Sequence, residues 1–379
     1  MSDTNQYDPA AQERMQNKLT GYINRKRSNN LAQIESIENE SRLIYDYLVP
    51  TGMMDFHNVE ENYNVNMVFN DDKGVRHDLK FHDNAVNQIA TKFGVPTRYL
   101  RDLHNGKENW QKILAAEIMQ YHASNADQSK LLVRAVGDQV RGVLSDSYKR
   151  LNSIVLYATF ITAAESHGAV IADAHYNGLT GYLEVVRPDV IAIPTENNGI
   201  QFVCFGMQFR NSDFGKSSLD MRAFLFYPVC ENGQISKSAM RNVHLGARLP
   251  DNLELSAETY KKDTETKASL MKDVIGSLLD PKKVYDYSVQ IQEASKIEID
   301  IEREIKSLPQ LGVLEHEINS LTKVFMENNP DNNIGGANTL FKLTQGLSSV
   351  SRDSSSTRKR ELDEITGKLF ERVGVVLEK

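Results

Sequence analysis

The sequence predicts an α+β fold, with a mostly antiparallel sheet core and packed helices, followed by an α-helical C-terminal region. Three observations lead there. Alternating apolar runs separated by turn residues cluster between residues 63 and 229. Helical runs lie between and beside them without regular βαβ alternation. From about Ala257 the chain becomes rich in Lys, Glu, Asp, Ile and Leu at helical spacing. The resulting divisions are an N-terminal tail and helix (1–60), an α+β core (61–255) and a helical region (256–379).

Residues 1–30 are polar and read as a mobile tail, with a basic run, Asn24 to Asn30, that could instead touch nucleic-acid backbone. Leu31, Ile34, Ile37, Ile44, Tyr45 and Leu48 recur at helical spacing, and Pro50-Thr51-Gly52 ends that helix. Tyr63–Phe69 and Val75–Phe81 form a hairpin about Asn70–Gly74. Asn84–Leu103 is a helical hairpin broken at Gly94, with Pro96 opening its second helix. It reads as a structural hairpin, with a groove-reading unit carrying Arg98 and Arg101 as the sharper alternative.

Beyond Trp110 the chain reads as strand-rich, with a hairpin of Leu131–Val136 and Val140–Leu144. A helix over Asn152–His167 and strands at Gly181–Arg187, Ile200–Phe209 and Asp220–Val229 follow. Helices are predicted at Ser256–Leu279, Lys283–Leu308 and Leu311–Glu327, a linker at Asn328–Gly336, and a last helix after the serine-rich Ser348–Thr357. No heptad is sustained, so no coiled coil is predicted.

A chain of 379 residues, 40% hydrophobic and 25% charged, can bury a core and is not disordered as a whole. No apolar run is long enough to span a bilayer, and the N-terminus lacks the apolar core of a signal peptide, so a cytoplasmic protein is expected. Two cysteines, Cys204 and Cys230, rule out a disulfide framework and read as buried hydrophobes. No histidine spacing suits a metal, and no cofactor is implied. The net charge of −7 excludes a generally basic coat but not a local basic groove.

Three segments stand out for chemistry. In Val140–Asn152, Arg141, Lys149 and Arg150 surround Tyr148, which could stack a base while the cations meet phosphates. Ser145 and Asp146 there read as helix caps. In Phe205–Leu219, Gly215-Lys216-Ser217-Ser218 lacks Walker spacing, which argues against an NTPase and leaves Arg210 and Lys216 at a rim suited to phosphate. In Cys230–Gly246 and just beyond, Lys237, Arg241, His244 and Arg248 are spaced by four, three and four, which on a helix forms one cationic face. A Cys230–His244 dyad is a further, weaker reading.

The order of these pieces resembles the phage- and plasmid-associated domain of unknown function 932 family over roughly residues 60–250. The resemblance runs through Ala85–Leu103 with Gly94-Val95-Pro96 and Tyr99, then Val140–Ser145 with Tyr148. It continues through Asn211-Ser212 with Gly215 and Cys230–Gly233, and ends at Arg241 and His244 to Gly246. It implies a setting in nucleic-acid metabolism, in the host cytoplasm if the chain is phage-encoded. The inferred architecture is also similar to that of phage single-strand annealing proteins.

The resulting expectation is a non-enzymatic protein that binds or anneals single-stranded DNA in recombination or replication, without ATP and as a homo-oligomer assembled by its helical tail. Arg134, Arg141, Lys149, Arg150, Arg210, Lys216, Lys237, Arg241, His244 and Arg248 would grip the strand, with Tyr148 as stacking platform. Two competitors are a structural or regulatory protein working through the tail, and a hydrolase using Cys230, Ser145 or His244. On the first view, removing residues 286–379 separates tail from groove. On all views the nucleic-acid reading needs Arg141, Lys216 and Arg241 to converge.

Overall fold

The structure is a computed structural model that describes residues 8–59, 64–126, 130–148, 151–229, 231–242, 255–327, 336–351 and 354–373. It is an α+β fold with two mostly antiparallel sheets and, among the described residues, eleven α-helices. No helix among these residues is long and apolar enough to cross a membrane.

Sheet 1 comprises β1 (Ile44–Pro50), β2 (Asp55–Val59), β3 (Asn64–Asn70), β4 (Arg76–Phe81), β5 (Lys130–Val136) and β6 (Gln139–Ser145), ordered β1-β5-β6-β4-β3-β2. Its single parallel pair is the short β4–β6 contact. One face is covered by α2 (Asp83–Phe93), α3 (Thr97–His104) and α4 (Asn109–Asn125), which bury Val86, Ile89, Leu100, Ala115 and Met119 against Met67, Phe81 and Val143. The turn between α2 and α3 is as predicted: Gly94 caps α2 in the left-handed region (φ 69°), which a side chain rarely adopts.

Sheet 2 is ordered β12-β11-β10-β8-β7, from β7 (Val170–Tyr176), β8 (Gly181–Val186), β10 (Ile200–Asn211), β11 (Leu219–Tyr227) and β12 (Asn232–Asn242). A short β9 (Ile191–Pro194) pairs with the start of β10. On one face, α5 (Ser153–Ser166) and α6 (Ala257–Leu278) bury Phe160, Met271 and Ile275 against Leu183, Phe209 and Met221.

The N-terminal segment departs from expectation. Instead of a tail and a helix running to Leu48, α1 spans Pro9–Ser41 and the chain then enters β1. The helix is polar because part of its work is done by amides. Asn30 donates to the Ala172 carbonyl (3.2 Å) and accepts from the Ala174 N–H (3.0 Å), while Gln33 accepts from the Tyr176 N–H (2.8 Å). These side chains pair the outer edge of β7, which no strand covers. Ile44 to Val49 pair with β5 in full register, and that ladder overrides the helical spacing. Residues beyond Trp110 form α4 before any strand begins.

The C-terminal helices α7 (Pro281–Lys296), α8 (Ile301–Ser307), α9 (Glu315–Glu327), α10 (Leu340–Ser351) and α11 (Ser356–Phe370) turn their apolar faces inward. Ile291, Leu340, Phe341 and Phe370 pack on Phe205, Leu225 and Tyr227 of sheet 2. Every residue of α10 is buried, including its serines. Thr344, Ser349 and Ser351 donate their hydroxyls to carbonyls three residues back at 2.7–2.8 Å, which lets a polar sequence lie in the core.

Candidate anion-binding cleft

The connection between β10 and β11, residues 212–218, is held against sheet 1 by side chains from α2 and β5. Asn84 and Gln88 both donate to the Phe214 carbonyl (3.1 and 2.8 Å), and Gln88 accepts from the Val143 N–H (2.7 Å). Ser212 Oγ accepts from the Phe214 and Lys216 N–H groups, closing a turn that ends in Gly215 at φ 69°. That dihedral favours glycine, and a Cβ there would also press on Leu144 Cδ2, 2.6 Å away.

Between this turn, α2 and the end of β6 lies a cleft of about 700 Å³. Asn84, Asn87, Gln88, Thr91 and Lys92 form its α2 wall at three- and four-residue spacing, Ser145 and Tyr148 its floor, and Lys216, Ser217 and Ser218 the opposite wall. Among the described residues no carboxylate lines it. The ammonium groups of Lys92 and Lys216 have no hydrogen-bond or ion-pair partner among the described residues. Burial lowers the Lys92 pKa from its ordinary value, with the Asp146 carboxylate opposing the shift. Ser217 Oγ and Asn87 Oδ1 are both buried atoms without a partner. Both lysines are exposed to solvent at the rim, while the two buried polar atoms are energetically unfavourable until a group that can hydrogen-bond to them enters.

The residues expected to grip nucleic acid are distributed differently. Arg134 is buried, and its fork holds Asp46 at 2.7 and 2.8 Å, so it is a core ion pair rather than a surface contact. Arg141 pairs with Glu40 of α1 and donates to the Gly178 carbonyl (2.9 Å). Arg210 bridges Asp220 and Glu364 of α11, both at 3.0 Å. Tyr148 is buried, with its hydroxyl on the Ser212 carbonyl, so it is a floor and not an open platform. In each case an acidic or carbonyl partner from a distant segment satisfies a group that looks free in sequence.

Of the predicted set, Lys216 and Tyr148 meet in the cleft, and Lys92 joins them without having been singled out. Lys237 and Arg241 lie on strand β12, not on a helix, because residues 232–242 pair with β11 as a hairpin. Asn242 is in register with Leu219, one residue past the cleft wall, so β12 ends beside the cleft. Arg141, Lys216 and Arg241 thus do not form one trough of free cations, since Arg141 is neutralised by Glu40. Lys149, Arg150, Cys230, His244 and Arg248 lie outside the described residues.

Other chemistry fares as follows. Ser145 Oγ shares a hydrogen bond with Ser147 Oγ at 3.1 Å, not with a base. Cys204 is buried and its thiol pKa is pushed up to about 12 by burial, which suppresses thiolate. Among the described residues no group of three or more His, Cys, Asp or Glu could hold a metal ion. Compared with known proteins, no family model matches the chain, and no curated protein or solved structure matches it either. The resemblance to the domain of unknown function 932 family rests on the residues quoted above.

Proposed function

We propose that the protein binds single-stranded DNA without nucleotide hydrolysis, and that the Lys92–Lys216 cleft, rather than an arginine trough, receives the sugar–phosphate backbone. One observation carries this reading: Lys92 and Lys216, without hydrogen-bond or ion-pair partners among the described residues, line a cleft with no carboxylate among its described lining, while Arg134, Arg141 and Arg210 are internally paired. Lys92 and Lys216 meet phosphate oxygens, Ser217 donates to them, and Asn87 accepts from a base N–H.

The test is an anisotropy titration of a fluorescent oligothymidylate at several salt concentrations. Lys92→Ala and Lys216→Ala should each lower affinity and reduce the slope of log K against log salt by roughly 0.7, the single-strand value per phosphate contact. Lys262→Ala, an exposed lysine of α6, is the control and should change nothing. Affinity that is absent or indifferent to salt rejects the proposal. If a mononucleotide binds as tightly as the oligomer, the cleft is a small-anion site instead.

A further inference from the structure

Lys92 lines two cavities. Besides the cleft, it borders a smaller one of about 300 Å³ beyond the last turn of α2, where Phe93, His122, Asn125 and Leu131 complete the wall. Among the described residues no carboxylate lines this one either. The rings at its edge form a row. Phe93 and His122 stack with centroids 5.9 Å apart and planes 17° apart, and Tyr121 meets His122 edge-on at 5.6 Å. Tyr121 ends the row with 67% of its surface exposed. Its ring has an open face on a rigid helix, one residue from the cavity wall.

We infer that the bound strand continues from the cleft across Lys92 into this second cavity, with a base stacking on the Tyr121–His122–Phe93 row. The inference rests on the single-stranded DNA reading above and extends it to a path and a stacking site. The chemistry matches the repeat of the ligand. A nucleic-acid strand alternates anionic and flat apolar units, and here an ammonium is followed by exposed aromatic surface. The lysine meets the phosphate that links two nucleotides, one in each cavity. Stacking needs no particular base, because every base has a π-face, so this site predicts binding that tolerates sequence. It also supplies the platform that Tyr148 cannot, its ring being buried.

The experiment compares an oligothymidylate with an abasic oligomer of the same length, using wild type, Tyr121→Ala, Tyr121→Phe and Lys92→Ala. Tyr121→Ala should weaken binding of the normal oligomer about tenfold and leave the abasic one unchanged. Tyr121→Phe keeps the ring and should bind as wild type does. Lys92→Ala should weaken both oligomers. If Tyr121→Ala leaves the normal oligomer unaffected, or weakens both oligomers equally, the stacking path is wrong while the cleft reading stands on the Lys92 result. If wild type binds neither oligomer, the cleft reading fails and the path with it.

Discussion

Arg134 of β5 and Asp46 of β1 stand opposite each other in the strand register and are joined by two hydrogen bonds of 2.7 and 2.8 Å. The third arm of the guanidinium donates to the Asp213 carbonyl at 2.8 Å, so one buried side chain ties sheet 1 to the loop that forms the cleft wall. Neighbouring carboxylates raise the Arg134 pKa further above its ordinary value, while burial opposes them. Truncating one partner leaves the other charge buried. Arg134→Ala should therefore lower unfolding free energy by about 3–5 kcal/mol in urea denaturation. Any loss of DNA binding should follow the loss of folded protein, with the salt slope of the folded fraction unchanged.

Asp363 of α11 is fully buried, lies 2.8 Å from Ser351 Oγ through its Oδ1, and has its pKa raised to about 7, chiefly by burial. In the unfolded chain it titrates near an ordinary aspartate value of about 3.9. Between those values the folded state holds the extra proton, so stability falls as pH rises from about 4 to about 7 and then levels off. Asp363→Asn should flatten that decline and raise stability at neutral pH. Thermal melts across this pH range check it; a decline as steep as in wild type would count against the assignment.

Lys92 gives a pH dependence to binding rather than to folding. Its ammonium is lost at a pH below the ordinary lysine value of 10.5, because burial disfavours the charge. Oligonucleotide affinity should therefore drop as pH rises through the alkaline range, earlier than a lysine with the ordinary value would allow. Lys92→Arg, charged throughout, should remove the drop. Titrations at a series of alkaline pH values measure it.

Gly206 sits in the middle of β10, between Val186 of β8 and Phe224 of β11. A Cβ there would fall 1.9 Å from the Val185 carbonyl oxygen, a backbone atom that cannot swing aside. Gly206→Ala should force the central strands of sheet 2 apart and cost about 3 kcal/mol or more. Chemical denaturation of the purified variant, or its failure to accumulate in soluble form, is the readout.

What could be read from the sequence was local. The hairpins at β3–β4 and β5–β6 and the α2–α3 turn announce themselves through alternation, Gly94 and Pro96, and all are present. Lys216 was recognisable from the small polar residues around it. Lys92 was not, although it shares a helix face with Asn84 and Gln88, because the hairpin was read for its arginines. The arginines misled for a reason of distance. Asp46, Glu40 and Glu364 lie 88, 101 and 154 residues from Arg134, Arg141 and Arg210, and no spacing rule connects them. The polar faces of α1 and α10 misled in the same way. Amides that finish a sheet edge and serines that bond their own helix look like solvent-facing residues until the fold surrounds them.

The position of α10 governs how the protein must be made. Tyr227 and Phe205 are sealed in part by residues 340–373, which are made well after β11, so one side of the second sheet stays bare until they emerge. At typical translation speeds that interval is roughly ten to thirty seconds. A nascent chain in that state is a natural client for chaperones. A chain cut between β12 and α10 would lack Leu340, Phe341 and Phe370 and keep that side of the sheet uncovered.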